Sequence, residues 1–248
     1  MTDLNGKSAL VTGATSGIGK ATALALAASG ATVAVSGRDD EKGQAVVDAI
    51  RSTGGSAVLL LADLVDADAA LGLAARATEA LGGRVDILVN SAGMFPFGPT
   101  ASLDEASFDA AYALNVKAPW FLVGALVPAM ADRGEGAVVN VSTMVAQFGV
   151  DGMALYGSTK AALELLTKAW AAEFGPRGVR VNAISPGPTR TEGTASMGEA
   201  LDALASLAPA GRPASPEEIA ATIVFLAGDE ASFVHGAVLA VDGGRTAT

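Results

Sequence analysis

Tyr156 and Lys160 stand four positions apart at the start of an apolar-periodic segment, residues 161–174. Because residues i and i+4 share one face of an α-helix, the spacing predicts that the phenol and the ammonium group point into the same space. A fixed cation about 4 Å away favours a phenolate by roughly 4 kcal/mol at an effective dielectric of about 20. The pair therefore predicts a tyrosine whose pKa is lowered toward neutrality, able to exchange a proton with a carbonyl or an alcohol. Surface helices also carry this spacing by chance, so the rest of the chain must support it.

A glycine-rich segment, residues 13–19, follows the strand-type run Ser8–Thr12 and precedes a helix-forming segment that Gly30 closes. Glycines let a backbone turn tightly and approach a ligand, and the first N–H groups of a helix attract anions. An ordinary strand-to-helix connection in this Ala- and Gly-rich chain could carry the same G-x-x-x-G-x-G spacing. The order of strand, glycine loop and helix favours a phosphate-binding site.

Strand-type and helix-type segments alternate along the whole chain. The predicted strands are Ser8–Thr12, 31–36, 58–62, 85–90, 137–141, 179–184 and Val238–Val241. The predicted helices are 20–28, 40–52, 66–81, 108–130, 156–174 and a last one that Ser215 caps and that ends at Ala227. This alternation predicts a single α/β domain over residues 1–248, with a doubly wound, seven-stranded parallel sheet flanked by helices. An irregular stretch, residues 188–214, is predicted to form the substrate loop.

Unusual residues gather where the predicted strands end. They are Gly13, Arg38, Asp63, Asn90, Gly93, Ser142, Thr143, Pro186 and Gly187. In a parallel sheet of this kind, ligands bind outside the carboxyl ends of the strands. The sequence therefore predicts one ligand site along that edge.

The composition excludes several classes of protein. Half of the 248 residues are hydrophobic and 17% are charged, which indicates a sizeable core. There is no cysteine, and the single histidine, His235, cannot form a histidine cluster, so we expect no metal site. A net charge of −10 argues against nucleic-acid binding. Neither an uninterrupted run of 18 apolar residues nor a signal-like start is present, so we expect a cytoplasmic protein with no membrane partner.

Taken together, these segments resemble one family, the short-chain dehydrogenases/reductases of the classical type. The matching residues are 12–13, 17–19, 63–64, 90–93, Asn115, Tyr156, Lys160, 186–187, 211–213, 217–220, 225–226 and 241–244. Their order and spacing extend over essentially the whole chain. The resemblance implies a Rossmann-type domain, a nicotinamide cofactor, hydride transfer between a carbonyl and an alcohol, and a homotetramer.

The resemblance also implies catalytic roles. Tyr156 would be the proton donor and acceptor, and Lys160 would lower its pKa and hold the nicotinamide ribose. Asn115 would anchor a water in the proton relay, unless it is only the amide of a helix kink. The family's catalytic serine corresponds to Thr143, thirteen residues before Tyr156, with Ser142 as the alternative. A threonine hydroxyl can donate the same hydrogen bond to a substrate oxygen.

Cofactor contacts carried over from the family lie at every strand end of the predicted site. Asp63 would bond the adenine amino group, and the segment after Pro186 would hold the nicotinamide carboxamide. The full set is Gly13, Thr15, Ser16, Gly17, Ile18, Gly19, Arg38, Asp63, Leu64, Asn90, Ala92, Gly93, Ser142, Tyr156, Lys160, Pro186, Gly187, Thr189 and Thr191.

The choice between NADP(H) and NAD(H) depends on the end of the second strand. An NAD-binding member would carry an acid there for the ribose diol, but the position holds Gly37, followed by Arg38. A guanidinium can bind a 2′-phosphate through two hydrogen bonds, so NADP(H) is favoured. Asp39 and Asp40 favour the alternative, NAD(H), although they also suit the N-terminus of the next helix.

The segments expected to wall the substrate site are apolar and rich in methionine. They carry Met94, Phe95, Phe97, Met144, Phe148, Met153 and Met197, with Arg190 as the main basic residue. Methionine re-packs around different shapes, so the predicted substrate is a small or medium apolar ketone or secondary alcohol. The alternatives are a reductase of 3-oxoacyl groups on an acidic carrier protein and a catalytically silent dinucleotide sensor.

A homotetramer is also expected from surplus apolar residues on two helices. Phe121, Leu122, Leu126, Leu163, Leu166 and Trp170 are more than one buried face requires, unless the sheet covers them all.

Overall fold

The computed structural model describes residues 2–248, which build one seven-stranded parallel sheet. Its strands are β1 (Ser8–Thr12), β2 (Thr32–Gly37), β3 (Ser56–Leu61), β4 (Ile87–Asn90), β5 (Gly136–Val141), β6 (Val179–Pro186) and β7 (Val238–Val241). They lie in the order β3-β2-β1-β4-β5-β6-β7. The chain changes direction across the sheet between β1 and β4, which is where such folds leave a crevice at the strands' carboxyl ends. The predicted doubly wound sheet is confirmed.

Helices cover both faces of the sheet. They are α1 (Gly17–Ala28), α2 (Asp40–Ser52), α3 (Ala67–Ala80), α4 (Glu105–Tyr112), α5 (Ala118–Arg133), α6 (Ala154–Phe174), α7 (Glu199–Ala205) and α8 (Pro216–Ala227). Side chains alternate along each strand, so Ala9 and Val11 of β1 join the core under α1, α2 and α8. Leu10 joins the opposite core, under α3, α5 and α6.

Two helix starts follow the rules read from the sequence. Asp39 caps α2, and its side chain accepts a hydrogen bond from the Lys42 backbone N–H. Ser215 and Glu218 cap α8 reciprocally, with Pro216 at the first helical position. Asp39 therefore serves the helix, as one of its two interpretations predicted.

Two predicted segments differ from the structure. The helix expected over 108–130 is interrupted by a π-helical turn, Ala113–Lys117, in which Asn115 is fully buried. The stretch 188–214 is not irregular throughout, because it holds a 3₁₀ helix, Glu192–Met197, followed by α7. Capping by Thr191 and Thr194 organises the first of these, and burial of Leu201 stabilises the second.

One helical stretch, Glu105–Arg133, is long and apolar enough to cross a membrane by length and composition alone, with a mean hydropathy of 1.3. It comprises α4, the π-helical turn and α5. In this fold it supplies Leu122, Leu126 and Met130 to the core beside α3 and α6. Packing inside the protein therefore explains its apolar character.

The surplus of apolar residues on α5 and α6 is located differently from what the sequence suggested. Leu122, Leu126, Leu163 and Trp170 are buried inside the chain, and Phe121 and Leu166 are half-buried against the same core. That part of the prediction is wrong, because the sheet and the neighbouring helices cover these side chains. The exposed apolar side chains on α4, α5 and α6 are instead Phe108, Trp120 and Leu165.

Candidate active site

A cavity of about 440 Å³ opens along the carboxyl ends of strands β1 to β6. The structure brings to its wall nearly all the residues predicted for the site. These are Gly13, Thr15, Ser16, Gly17, Ile18, Gly19, Arg38, Asp63, Leu64, Ala92, Gly93, Ser142, Thr143, Tyr156, Lys160, Pro186, Gly187, Thr189 and Thr191. Asn90 and Asn115 do not reach the wall. The parallel sheet is responsible for this convergence, because all its strands end at one edge.

The glycine loop wraps closely against its neighbours. A Cβ atom on Gly13 would lie 2.8 Å from the Cα of Ala92, and one on Gly19 would overlap the carbonyl oxygen of Gly13. The Thr12 hydroxyl accepts hydrogen bonds from the backbone N–H groups of Ser91 and Ala92, both at 3.1 Å. The ends of β1 and β4 are therefore joined directly, and glycine is required by space at both positions.

Tyr156 lies half-buried in the cavity wall. The ring of Phe95 meets it edge-on, with centroids 6.3 Å apart. Burial raises the pKa of Tyr156 to about 12, and the hydrogen bond from the Thr143 side chain lowers it only in part. The pKa shift expected from the sequence is therefore wrong in direction for this structure, because the loss of water on burial outweighs the hydrogen bond from Thr143.

Lys160 is buried beneath Tyr156, one turn further along α6. Its Nζ donates a 2.8 Å hydrogen bond to the carbonyl oxygen of Val141, at the end of β5. Burial lowers the pKa of Lys160 to about 8. The ammonium group also lies against Gly93, where an added Cβ atom would be 3.3 Å from Nζ. Lys160 is therefore fixed in place and titrates near the physiological range.

Asn115 lies behind the wall rather than on it. Its amide nitrogen donates to Met94 O at 2.8 Å and to the Thr159 hydroxyl at 2.9 Å, and its Oδ1 accepts from the Met94 N–H. The side chain thus joins the π-helical turn to the loop after β4 and to α6. This agrees with the helix-kink amide that the sequence left open.

Ser142, the alternative to Thr143 for the role of the catalytic serine, bonds a residue other than Tyr156. The Ser142 hydroxyl donates a 2.7 Å hydrogen bond to Glu164 Oε1 on α6. Thr143, one residue later, contacts Tyr156 instead. Alternation of side chains along the extended backbone after β5 separates the two neighbours, so Thr143 has the better position to meet a substrate oxygen.

Asn90 belongs to a buried polar chain inside the sheet. Its amide nitrogen donates to Asn140 Oδ1, and the Asn140 amide donates to the Thr167 hydroxyl, both at 2.8 Å. Its Oδ1 has no hydrogen-bond partner among residues 2–248. The Asn90 side chain therefore links β4 to β5 and is not among the residues that line the cavity.

The far end of the cavity, below β2 and β3, is polar and open. Arg38 and Asp63 face each other there across 3.8 Å, and both side chains are mostly exposed. A Cβ atom on Gly37 would lie 2.5 Å from Thr15 Cγ2. A carboxylate at position 37 would therefore have to displace Thr15, which leaves Arg38 as the charged side chain at the end of β2.

The opposite end is apolar. Met94, Phe95, Met144, Met153 and Met197 line it, as predicted. Val145, Leu201 and Leu204 line it as well. Leu201 and Leu204 lie on α7, within the stretch that was expected from the sequence to be irregular. The spacing of Leu201 and Leu204, three residues apart, is the helical pattern that could have predicted them.

Three residues predicted for this wall lie elsewhere. Phe97 is 70% exposed, and Phe148 packs under the guanidinium of Arg245, 5.2 Å from the ring centre. Arg190 forms a 2.6 Å ion pair with Asp202 on α7. No lysine or arginine other than Lys160 and Arg38 lines the cavity within the described part of the chain.

Comparison with known proteins agrees with this arrangement. A family model described as enoyl-(acyl carrier protein) reductase matches residues 13–246. D-threitol dehydrogenase of Mycolicibacterium smegmatis is 41% identical over 245 residues, which cover 98% of this chain and 94% of that protein. A solved short chain dehydrogenase/reductase family protein is 46% identical, with a TM-score of 0.92 over 99% of this chain and 100% of the other. A structure from Beutenbergia cavernae, with NADP bound at low occupancy, is 40% identical with a TM-score of 0.94, and the match covers 99% of each chain.

Proposed function

The chain belongs to the short-chain dehydrogenase/reductase family, an NAD(P)-dependent oxidoreductase family, and we propose that it interconverts a small apolar ketone and a secondary alcohol with NADP(H). The observation that supports this proposal most is the meeting of Tyr156, Thr143 and Lys160 in the same cavity as the glycine loop. Membership of the family establishes the reaction class, NAD(P)-dependent hydride transfer. The substrate, the cofactor preference and the residue roles are the proposal.

The shape of the cavity fits a dinucleotide. Gly13 and Gly19 have no side chain, so a diphosphate could lie close to the backbone of the loop. The N-terminus of α1 would supply backbone N–H groups to that diphosphate. Arg38 and Asp63 suit the adenosine end, whereas Gly93, Lys160 and Thr189 suit the nicotinamide end. When bound, the nicotinamide supplies or accepts the hydride.

Tyr156 is the proposed proton donor and acceptor. In the reducing direction its hydroxyl donates the proton to the substrate oxygen, while the Thr143 hydroxyl donates a hydrogen bond to the same oxygen. The phenolate left behind is stabilised by the Lys160 ammonium group. Burial raises the pKa of Tyr156 to about 12 even with the hydrogen bond from Thr143, so we propose that the positive charge of Lys160 offsets part of this rise when the phenolate forms.

The preference for NADP(H) rests on Arg38. Its guanidinium is exposed at the end of β2, and its partner Asp63, at 3.8 Å, holds it only weakly. A 2′-phosphate would offer it a stronger, two-point partner. Asp39, the competing feature, is already used as the helix cap of α2.

An apolar substrate is supported by the wall of Met, Phe and Leu side chains and by the pairing of Arg190 with Asp202. The relative that acts on threitol shows that polyols are used within the family, so polarity must be tested directly. A carrier-bound 3-oxoacyl substrate is the second candidate, because a relative from Thermotoga maritima, 37% identical over 242 residues, is named a 3-oxoacyl-[acyl-carrier-protein] reductase. An acidic carrier would be repelled by a chain of net charge −10.

The experiment is an absorbance assay at 340 nm, with NADPH for ketones and an acyl-carrier substrate and with NADP⁺ for secondary alcohols, polyols and aldonic acids. We expect the highest kcat/KM for neutral apolar ketones. A carrier substrate preferred tenfold, with a rate that falls as salt rises, would reassign the substrate. Tight cofactor binding with no turnover across the panel would favour the silent sensor.

We also propose a homotetramer in the cytoplasm. Phe108 and Trp120 are about half exposed and Leu165 is 68% exposed on adjacent helices, and Phe225, Phe233 and Leu239 are exposed near β7. Two such apolar patches would suit two interfaces. Sedimentation that gives a stable 24.5 kDa monomer at micromolar concentration would contradict the assembly.

A further inference from the structure

The N-terminus of α1, which lines the cavity, is capped from a distant segment. Ser16 stands at the N-cap, but its side chain makes no hydrogen bond to the helix, and the first turn holds no acidic residue. The Gly17 backbone N–H donates instead to Glu192 Oε2 at 2.9 Å, across 175 residues of sequence. A carboxylate from the loop after β6 thus serves as the anion at this helix end.

The position of Glu192 is set by the structure of its loop. Glu192 is the first residue of the 3₁₀ helix, and Thr191 and Thr194 cap that helix reciprocally. Thr191 also packs against the glycine loop, because a Cβ atom on Gly17 would lie 3.3 Å from its Cβ and Cγ2. Its own backbone N–H, the Gly17 N–H and the charges of Lys20 and Lys42 hold the pKa of Glu192 below its usual value. The group is therefore a carboxylate at neutral pH.

We propose that Glu192 sets the affinity for the dinucleotide by competing with its diphosphate for the N-terminus of α1. The inference rests on the proposed cofactor, whose diphosphate needs the same N–H groups. Two anions cannot share the Gly17 N–H, and their charges repel. Binding must therefore exchange the carboxylate for the phosphate, and the loop must release Gly17 as the cofactor enters.

This exchange has two opposite effects. The carboxylate stabilises the free protein, since it satisfies an orphan N–H and complements the helix dipole. The same stabilisation is lost on binding, so it weakens the apparent affinity by an equal factor and speeds cofactor release. In many enzymes product release limits turnover, so a competitor that speeds cofactor release would raise the turnover rate.

The test compares wild type with Glu192→Gln, which removes the charge, and Glu192→Ala, which removes both charge and acceptor. NADPH affinity and dissociation rate are measured by the fluorescence of the bound nucleotide, and melting temperature is measured with and without NADPH. Glu199→Gln is the matched control, because it makes the same charge change on α7, at an exposed position seven residues away.

We expect both Glu192 variants to bind NADPH about three- to tenfold more tightly and to release it more slowly, with alanine at least as large in effect as glutamine. Their melting temperature without cofactor should fall, while the rise on adding NADPH should exceed that of wild type. Glu199→Gln should leave both measurements unchanged. Unchanged or weaker NADPH binding by the variants, with wild type still binding, would overturn the inference alone, because Glu192 would then be only a helix cap. A wild type that binds no dinucleotide would overturn the proposed function as well.

Discussion

The ammonium group of Lys160 donates a buried 2.8 Å hydrogen bond to the carbonyl oxygen of Val141, which ties the middle of the cavity wall on α6 to the end of β5. This contact fixes the base of the Tyr156 turn relative to Thr143, two residues after Val141. It also keeps a charge away from water, and the pKa of Lys160 falls to about 8 as a result. The relationship is therefore both structural and electrostatic.

Stability should reveal this buried charge through its pH dependence. The folded pKa of Lys160 is about 8 and the unfolded value is about 10.4, so between these values the unfolded chain binds more protons. Stability should then rise with pH by up to about 1.4 kcal/mol per unit from this group. Urea unfolding of Lys160→Met at pH 7.5 and 9.5 should lack that increment, while Lys168→Met, exposed on the same helix, should keep it. Equal pH slopes in wild type and Lys160→Met would contradict the assigned pKa.

Arg38 should distinguish the two cofactors. Replacing it with alanine should weaken NADPH by roughly 1.5–3 kcal/mol, the range of a charged hydrogen bond, and leave NADH almost unchanged. Arg177→Ala is the control, because that arginine pairs with Asp132 and does not line the cavity. Titration by nucleotide fluorescence measures both constants. An equal loss for both cofactors, or a wild type that prefers NADH, would show that Arg38 does not read the 2′-phosphate.

Thr143 should matter more for turnover than Ser142. Thr143→Val keeps the shape but removes the hydroxyl, so kcat/KM should fall about tenfold or more, the scale of one lost hydrogen bond to a reacting oxygen. Thr143→Ser should retain most of the activity. Ser142→Ala should change kcat/KM little, because the Ser142 hydroxyl serves Glu164. The reverse ranking of Thr143→Val and Ser142→Ala would transfer the role to Ser142.

The sheet and the glycine loop could be predicted from sequence because their signals are local. Strand periods, the capping sequence at Ser215 and the spacing of Tyr156 and Lys160 each lie within one element. The topology then brings every strand end to one edge, so residues far apart in sequence could be assigned to one cavity in advance.

The remaining features depend on contacts between distant segments. The sequence around Asn115 does not predict that its amide binds the Met94 backbone and Thr159. The sequence around Glu192 does not predict its hydrogen bond with Gly17. The pKa of Tyr156 was misjudged for the same reason, because spacing shows the cation but not the depth of burial. Phe148 was expected in the cavity wall, but its ring packs against Arg245. Arg245 lies almost a hundred residues further along the chain, so the sequence around Phe148 does not indicate this contact.

The central claim is that Tyr156 transfers the proton, and Tyr156→Phe tests it most directly, because it keeps the ring and removes the hydroxyl. Tyr112→Phe is the matched control, since the only other tyrosine bonds Ser158 with its hydroxyl and does not line the cavity. The measurement is kcat with the best ketone from the panel, alongside NADPH affinity. We predict a loss of at least about 10²-fold in kcat for Tyr156→Phe, with NADPH affinity retained and Tyr112→Phe near wild type. A Tyr156→Phe enzyme that turns over at close to the wild-type rate would contradict the mechanism.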